Sequence, residues 1–331
     1  MLVVEVSRFG GPEVLTARQV PDPAAGPGQV VIATVAADVL LVDTMIRAGR
    51  GVDFFPVRPP YVPGNGVAGQ VVAVGDGVDR SWTGRAAVAR TGAAGGSGGY
   101  AERAVVPAAD LIPVPPGLGP HGAAALLHDG ATAFGLLELA VIKPGEWVLV
   151  TAAGGGMGVL LVQLARAAGG RVIGAARGRA KLDLVRDQGA EAALDYSEPG
   201  WTARVRELTA GRGADAVFDG AGGRLGQAAF EVTATGGRFS AHGMSDGGFA
   251  RLDAQEAVRR GITVYGIEQH QHRPATFRRL AAAALAEAAA GRLQPVIRQT
   301  FPLDRAADAH AALETRATLA KTLLLSERPG G

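Results

Sequence analysis

The 331-residue sequence predicts an α/β protein in which a β-barrel domain is followed by a doubly wound parallel sheet of six strands. Two observations support this prediction. Residues 1–120 contain short apolar segments broken by clusters of glycine and proline, which is typical of a barrel or a sandwich. From residue 121 onward, strand-like segments alternate with helical stretches, which is the pattern of a doubly wound sheet.

The predicted elements follow in order along the chain. The first region has strands at 30–35, 67–74 and 86–89, separated by turn clusters at 21–28, 58–66, 75–77 and 91–99. The second region has strands at 147–151, 171–176, 192–195, 215–219, 237–241 and 262–267. The tail is predicted as a helix at 275–290, a strand at 296–300, a helix at 304–314 and a strand at 321–325. Because the tail lacks further βαβ spacing, we expect it to return to the first domain. The predicted domains are therefore 1–120 with 269–331, and 121–268.

The composition limits the classes of function. The absence of cysteine excludes disulfides, thiolate zinc sites, iron–sulfur clusters and a cysteine nucleophile. A net charge of +2, without a patch of aromatic and basic residues, argues against binding to nucleic acid. No segment reaches the roughly 20 apolar residues of a membrane span. Because Glu5 also interrupts the apolar N-terminus, we expect a cytoplasmic protein without membrane contact.

A glycine-rich turn follows the first strand of the second region. Residues 153–158 come directly after the apolar strand 147–151 and open an apolar helical stretch. A dinucleotide pyrophosphate site requires this order of strand, turn and helix, because the helix N-terminus offers unpaired N–H groups to the anion. The alternative is a tight turn that binds no ligand. The residues expected at the pyrophosphate are Ala153, Gly154, Gly155, Gly156, Met157 and Gly158.

The residues after the second strand of this region indicate which dinucleotide binds. A site for NAD requires Asp or Glu at the end of that strand, but no acidic residue occurs from Val159 to Leu182. Arg177, Arg179 and Lys181 occur there instead, and such cations pair well with a 2′-phosphate. Cations are disfavoured at a helix N-terminus unless an anion binds there. The sequence therefore predicts NADPH as the cofactor.

Several segments also carry a family resemblance. They lie at 42–49, 60–77, 98–105, 130–133, 148–158 and 318–324. In this order they resemble the medium-chain dehydrogenase/reductase superfamily, and within it the zinc-free quinone oxidoreductase branch. The resemblance implies a GroES-like β-barrel catalytic domain and an inserted Rossmann cofactor domain. It also implies a homodimer joined through the strand at 261–268.

The resemblance assigns further cofactor residues. Lys181 and Tyr196 match residues that bind the adenosine 2′-phosphate, and Arg177 adds a cation to the same pocket. Thr132 matches a threonine that reaches the nicotinamide end. Other candidates follow the fifth and sixth strands, at the edge where Rossmann proteins bind their ligands: Gly243 and Ile267.

The resemblance also bears on metal binding. Zinc-containing members of the superfamily hold the metal with Cys, His and a third ligand. In this sequence those positions fall on Leu40, Asn65 and His128. One imidazole cannot hold a zinc ion that takes three or four protein ligands, so the sequence predicts chemistry without a metal.

Without zinc, hydrogen-bond donors must stabilise the negative charge that develops on a hydride acceptor. The catalytic candidates are His128, Tyr61, Asn65 and Asp43. His128 could instead pack at a helix start, and Asp43 could instead bond the loop backbone. The other histidines, among them His310, are expected on the surface or in turns.

Three functions are compatible with these residues. Some enoyl reductases of the superfamily carry a tyrosine proton donor where this sequence has Met45. This difference favours NADPH-dependent reduction of a small molecule, either a quinone or an activated alkene or carbonyl compound. An enoyl thioester reductase of polyketide or fatty acid metabolism is the first alternative. A crystallin-like protein that binds the cofactor with little catalysis is the second.

Overall fold

A computed structural model describes residues 1–50, 56–92, 98–266, 269 and 273–326. Its strands are β1 Leu2–Val6, β2 Leu15–Gln19, β3 Gln29–Asp38, β4 Gly66–Val74, β5 Ala86–Arg90, β6 Arg103–Pro107, β7 Ile112–Pro113, β8 Trp147–Thr151, β9 Arg171–Ala176, β10 Ala192–Asp195, β11 Ala214–Asp219, β12 Thr233–Ala241, β13 Thr263–Tyr265, β14 Ile297–Pro302 and β15 Lys321–Leu325. Its α-helices are α1 Leu41–Arg47, α2 Pro120–Ala140, α3 Gly156–Ala167, α4 Arg179–Asp187, α5 Trp201–Leu208, α6 Gly223–Glu231, α7 Ala254–Arg259, α8 Pro274–Ala289 and α9 Ala306–Glu314. None of these helices combines the length and apolar character that a membrane span requires.

The chain forms two compact units. Unit one contains residues 1–131 and 281–331, and unit two contains residues 132–280. The sequence predicted domain borders after residues 120 and 268. Alternation of strands and helices begins at the first of these borders and ends at the second. The observed borders lie inside α2 and α8 instead. The interior of a helix carries no turn signal, so sequence patterning could not locate borders of this kind.

Unit one is built mainly on antiparallel strands, and its one parallel pair in the described ranges is β14 with β15. Its main sheet has the order β14-β15-β3-β4-β5-β7, with β6 also paired to β3, and β1 and β2 form a separate hairpin. The end of the chain joins this sheet, because β15 pairs with β3 and brings Leu323 opposite Asp38. The sequence missed four strands of this unit, namely β1, β2, β6 and β7. The strand β2 shows why, since four of its five residues are exposed and polar or small.

Unit two contains the predicted six-stranded parallel sheet, in the order β10-β9-β8-β11-β12-β13. Every residue of β8 is buried, as expected for a central strand of a sheet covered by helices. The strand order reverses at β8, because β9 and β10 lie on one side of it and β11 to β13 on the other. Ligands of open α/β sheets bind at such a reversal, outside the carboxyl ends of the strands. The turn that follows β8 lies at this point.

Candidate functional site

The glycine-rich turn joins β8 to α3 in unit two. The helix α3 begins at Gly156, and its first i→i−4 hydrogen bond runs from the Val159 N–H to the Gly155 carbonyl at 3.0 Å. A Cβ on Gly158 would press against the Ala152 carbonyl and lie 2.7 Å from the Cα of Ala153, so glycine lets the helix approach the strand. The backbone amides of residues 156–158 precede the first helical hydrogen bond and can serve an anion.

Two amides of the predicted pyrophosphate set are already used within the fold. The Ala153 N–H donates to the Ala175 carbonyl of β9 at 3.1 Å. The Gly155 N–H donates to the Ala152 carbonyl at 3.0 Å. Ala153 and Gly155 therefore shape the turn, and the amide donors come from the first turn of α3.

Lys181 lies directly beside this turn. A Cβ on Gly154 would lie 2.8 Å from the Cβ of Lys181 and 3.0 Å from its Cγ, so the lysine stem packs over the glycine. Arg177 follows β9 and is exposed, and Tyr196 follows β10 and packs partly against the apolar core. Because β9 and β10 pair Ala176 with Asp195, both strands end at the same level. We call this group of residues, together with the glycine-rich turn, the cofactor edge.

The structure adds an acidic residue to the cofactor edge that the sequence interpretation missed. Asp195 accepts a hydrogen bond from the Gly178 N–H at 2.8 Å and another from the Ser197 N–H at 2.9 Å. Burial by itself would raise the pKa of Asp195, but the hydrogen bonds from Ser197 and Gly178, together with the charge of Arg177, lower it. The charge of Arg177 therefore acts on a carboxylate of the chain itself. Asp195 is the last residue of β10, and only the pairing of β10 with β9 brings it to Gly178.

Arg179 differs from its two neighbours in the predicted cation set. Its side chain is 94% exposed, and its guanidinium lies 3.6 Å from the carboxylate of Asp183 one helical turn later. It therefore follows the solvated surface of α4, whereas Lys181 faces the glycine-rich turn.

The ends of β11 and β12 interlock. The Gly243 N–H donates to the Asp219 carbonyl at 2.9 Å, and a Cβ on Gly243 would collide with the backbone of Gly220. The buried side chain of Asp219 accepts the Thr151 hydroxyl at 2.7 Å, and burial raises the pKa of its carboxyl. Gly243 thus holds two loops together at the ligand-binding end of the sheet. Ile267, the sixth-strand candidate, lies outside the described residues.

A cavity of about 560 Å³ lies elsewhere in unit two, next to the first residues of β11 and β12. Three arginines line it, namely Arg206, Arg212 and Arg260. It lies at the amino ends of the strands, opposite the end where open parallel sheets bind ligands. We therefore assign it no part in the candidate site.

In unit one, Asp43 is the centre of a buried hydrogen-bond network. It accepts the Leu40 N–H at 2.8 Å, the Asn65 side-chain amide at 2.6 Å and the Tyr100 hydroxyl at 3.3 Å. Burial, and secondly the negative charge of Asp38, raise the pKa of Asp43 to about 6. The bond to Leu40 agrees with the structural role considered for this residue. The raised pKa also makes it a group that can exchange protons near neutral pH.

Three of the predicted catalytic residues line one cavity in unit one. We call it the polar cavity; its volume is about 300 Å³, and its wall includes Asp43, Tyr61 and Asn65 next to the apolar Ile46 and Val57. The Tyr61 hydroxyl is buried and has no hydrogen-bond partner among the residues that the structure describes. Burial, followed by the charge of Asp43, raises the pKa of Tyr61 to about 12, so this hydroxyl is a donor at neutral pH.

His128, the fourth catalytic candidate, belongs to a second polar group in unit one. Its Nδ1 lies 2.8 Å from the Asp38 carboxylate, and the Lys321 ammonium lies 3.7 Å from the same carboxylate and 3.1 Å from Asp129. Burial would raise the pKa of Asp38, but the charges of His128 and Lys321 outweigh it and lower the pKa. Asp38 is therefore ionised, and we assign the Nδ1 hydrogen of His128 to the bond with it. Sequence patterning missed Asp38, Lys321 and Asp129.

Of the three positions that the resemblance matches to zinc ligands, only His128 carries a side chain of a usual zinc-ligand type. Leu40 has no donor atom, and the side-chain amide of Asn65 is engaged with Asp43. A Cβ on Gly66 would lie 2.9 Å from Asp38 Oδ1 and 3.0 Å from His128 Cε1, so protein atoms fill the neighbouring space. In the described ranges, no group of three or more His, Asp or Glu side chains is arranged to hold a metal ion.

Tyr100 and His310 were not anticipated at the site. The Tyr100 hydroxyl lies between Asp43 and His310, at 2.9 Å from the Nε2 of the histidine, and both side chains are fully buried. The expectation that His310 lies on the surface or in a turn was therefore wrong. It occupies a buried face of α9, and burial followed by the charge of Arg47 lowers its pKa to about 3. These partners are separated by 57 and 210 residues in sequence, beyond the reach of any local pattern.

Comparison with known proteins gives matches along nearly the whole chain. Residues 26–116 match the family model of the alcohol dehydrogenase GroES-like domain, and residues 156–287 match that of the zinc-binding dehydrogenase. The quinone oxidoreductase of Sus scrofa is 31% identical over 98% of both chains. The 2-haloacrylate reductase of a Burkholderia species is 30% identical over 99% of both chains. The solved structure of Escherichia coli quinone oxidoreductase complexed with NADPH is 26% identical, with a TM-score of 0.89 over 98% of this chain and 100% of that one.

Proposed function

The protein belongs to the quinone oxidoreductase branch of the medium-chain dehydrogenase/reductase superfamily, and on this basis we propose that it uses NADPH, without zinc, to reduce a quinone or an activated alkene or carbonyl compound. That it is an oxidoreductase with NADPH as cofactor follows from similarity along the whole chain. The class of acceptor and the independence of zinc do not follow from this similarity; these two parts of the proposal rest on the residues of the site.

The cofactor edge fits NADPH. The amides at the start of α3 suit the pyrophosphate. Lys181 packs over Gly154, and Arg177 and Tyr196 directly follow the paired ends of β9 and β10, which supports our proposal that these three residues bind the 2′-phosphate. When bound, NADPH supplies the hydride. We keep Thr132, which lies half-buried on α2, and Gly243 as candidates for the nicotinamide end, together with Ile267.

The observation that carries the acceptor proposal is the polar cavity, whose wall includes Tyr61 beside Asn65 and Asp43; the Tyr61 hydroxyl is buried and has no partner among the described residues. A buried hydroxyl without a hydrogen-bond partner is energetically unfavourable, and an oxygen atom of the hydride acceptor would provide that partner. The volume of about 300 Å³ lies at the lower end of the range for small-molecule pockets, and the apolar part of the wall suits a flat ring. We propose that Tyr61 and Asn65 stabilise the charge that develops on the acceptor oxygen, and that His128 assists.

The proposed independence of zinc rests on the donor set. The family model whose description mentions zinc covers residues 156–287, and Leu40, Asn65 and His128 all lie outside that range. Two of these three side chains cannot act as zinc ligands of the usual kind, because zinc in proteins takes Cys, His, Asp or Glu. Hydrogen-bond donors of the chain itself must then replace the Lewis acid.

The decisive experiment measures NADPH oxidation against a panel of quinones, enals, haloacrylates and enoyl thioesters. We expect quinones or activated alkenes to be reduced fastest. In Tyr61→Phe we expect kcat/KM for the preferred acceptor to fall about tenfold, the value of one hydrogen bond to a developing charge. The matched control is Thr16→Val on the exposed face of β2, which loses a single hydroxyl bond to the Glu5 carbonyl and should keep wild-type kinetics.

The panel also separates the alternatives. Preference for enoyl thioesters would identify a thioester reductase, and NADPH binding without turnover of any acceptor would identify a cofactor-binding protein. Wild-type kinetics in Tyr61→Phe would remove the hydroxyl from the acceptor site.

We further propose a homodimer joined through the strand predicted at 261–268. Its described part, β13, is the last strand in the order of the unit-two sheet, where a second copy could continue the hydrogen-bond ladder. Light scattering coupled to size exclusion, with a proline substitution at Val264, tests this. A monomeric wild-type protein would contradict it.

A further inference from the structure

Behind the polar cavity, three titratable side chains form one hydrogen-bonded row. Asp43 lies in the cavity wall, the Tyr100 hydroxyl lies 3.3 Å from its Oδ2, and His310 Nε2 lies 2.9 Å from that hydroxyl. The rings of Tyr100 and His310 meet edge to face, with centroids 5.6 Å apart. All three side chains are buried, so water does not compete for these bonds. Neither binding of the hydride acceptor nor binding of the cofactor requires three titratable side chains to be hydrogen-bonded in a row.

Reduction of a quinone or an activated alkene requires one proton in addition to the hydride. We infer that Asp43 delivers this proton into the polar cavity and that Tyr100 and His310 are positioning residues that hold Asp43 for this task. The inference rests on the proposed function, because it takes the polar cavity to be the acceptor site.

The proton transfer balances with the groups present. The hydride carries both electrons, so the acceptor is left with a negative charge on oxygen, or on carbon in the case of an alkene. The O–H bond of protonated Asp43 breaks, the proton joins that atom, and the electron pair stays on the carboxylate. Water then returns a proton to Asp43, and the net reaction consumes one proton for each acceptor reduced.

Asp43 suits this role better than the other side chains in the wall. Tyr61, with a pKa raised to about 12, donates a hydrogen bond but gives up its proton reluctantly at neutral pH. Asp43, with a pKa raised to about 6, has a protonated fraction near neutral pH and loses its proton readily. Asn65 has no acidic proton, but its bond to Asp43 at 2.6 Å fixes the carboxyl from the cavity side.

Charged and titratable groups from every neighbouring element act on Asp43. Those that interact with it directly are Asp38 of β3, His128 of α2, Lys321 of β15, Tyr61 and Tyr100. Arg47 of α1 acts on Tyr61 and on His310 of α9, and His310 bonds Tyr100. Burial and Asp38 favour the protonated acid, whereas the bonds from Leu40 and Asn65 and the charge of His128 favour the carboxylate. The balance leaves the group able to change state during turnover.

The state of Asp43 should be visible at His310. When Asp43 is ionised, the Tyr100 hydroxyl donates to it and His310 Nε2–H donates to the Tyr100 oxygen. When Asp43 is protonated, the Tyr100 hydroxyl can turn to His310 Nε2, and the imidazole hydrogen then resides on Nδ1. Because the pKa of His310 is lowered to about 3, any change in its ring between pH 5 and 8 reports the tautomer.

The first arm of the test is spectroscopic and uses the full chain without cofactor. Ring ¹⁵N signals of labelled histidine are followed from pH 5 to 8, and those of His310 are identified by their loss in His310→Gln. We expect a tautomer transition with a midpoint near the Asp43 pKa of about 6. It should vanish in Asp43→Asn, which removes the titrating group, and in Tyr100→Phe, which removes the connecting hydroxyl.

The second arm is kinetic. At saturating NADPH, kcat for the preferred acceptor should fall as the pH rises through the Asp43 pKa. In Asp43→Asn, kcat below pH 6 should be about 10- to 100-fold lower and independent of pH, because water is then the only proton source. In Tyr100→Phe the descending limb should move to higher pH, since the carboxylate loses a donor. Thr16→Val is again the control, and the Kd for NADPH should be unchanged in every variant.

The outcomes separate the two proposals. If wild-type protein reduces no member of the panel, the proposed function fails, and the spectroscopic arm still decides whether Asp43 and His310 are coupled. If wild-type protein is active but Asp43→Asn keeps its rate and pH profile, the proton-delivery inference is overturned. A His310 tautomer that does not change between pH 5 and 8, or one that still changes in Asp43→Asn, would overturn the positioning role of Tyr100 and His310.

Discussion

Replacing Asp43 by Asn should change how the stability of unit one depends on pH. The pKa of Asp43 is raised from 3.8 to about 6 in the folded chain, mainly by burial. Below pH 3.8 the carboxyl is protonated in both the folded and the unfolded state, so it contributes no difference. As the pH rises from 3.8 to about 6, the unfolded chain releases this proton while the folded chain keeps it. The free energy of unfolding of the wild type therefore falls across this window.

The size of the effect follows from the same values. A shift of roughly two pKa units, at 1.36 kcal/mol each, corresponds to about 3 kcal/mol. Asp43→Asn has no such loss, so its stability relative to wild type should rise by about 2.5 kcal/mol between pH 4 and pH 7, since part of the effect is already present at pH 4. Asn keeps an oxygen for the Leu40 N–H but cannot accept all three donors. The variant is therefore also expected to lose a constant amount of stability at every pH. The test is the slope of its unfolding free energy against pH, not the absolute value.

Hydrogen exchange is the appropriate measurement, because a protein of two units need not unfold in a single step. The opening free energy of amides in β3 is compared between wild type and Asp43→Asn from pH 4 to 8. Adding Asp38→Asn to the Asp43 variant supplies a control of opposite sign. The pKa of Asp38 is lowered, so its stabilisation is present above pH 3.8 and disappears as the pH falls. Parallel pH curves for wild type and Asp43→Asn would refute the reasoning.

Further predictions concern cofactor, metal and acceptor. In the double variant Arg177→Ala/Lys181→Ala, the KM for NADPH should rise at least tenfold more than that for NADH, because each charge-assisted contact is worth about tenfold or more. Arg179→Ala is the control, and an equal loss of both cofactors would contradict the pocket. Elemental analysis of protein prepared without chelator should find no stoichiometric zinc, and EDTA should leave activity unchanged; inhibition by EDTA would disprove zinc independence. His128→Ala should lower kcat with quinones about 10- to 100-fold and leave NADPH binding unaltered, whereas an unchanged kcat would return His128 to a packing role.

The sequence predicted the parts of this protein that depend on local order. The strand, glycine-rich turn and helix at 147–167 are contiguous, so their spacing alone indicated a pyrophosphate site. The six parallel strands of unit two were identified from alternation of strand and helix, because each βαβ crossover has a characteristic length. The cations after β9 could also be identified from the sequence, because they directly follow the second predicted strand of the unit-two sheet.

Local sequence patterns did not predict the contacts between distant segments. Asp195 reaches Gly178 only because β10 pairs with β9, and Lys321 reaches Asp38 only because β15 pairs with β3. A one-residue change in register would turn either side chain to the other face of the sheet. Local patterning specifies which segments form strands, but it does not specify which strands lie side by side.

The buried row of Asp43, Tyr100 and His310 shows this limit most clearly. Asp43 was a candidate from the sequence, but Tyr100 was not, and His310 was expected on the surface or in a turn although it lies on a buried face of α9. Packing of α9 against the unit-one core takes His310 out of water and brings it to Tyr100. Desolvation then sets the protonation state of the row. The sequence by itself thus determined the strands of unit two and the glycine-rich turn. The raised pKa of Asp43 and the lowered pKa of His310 come from tertiary burial, because desolvation exists only once distant segments have packed together.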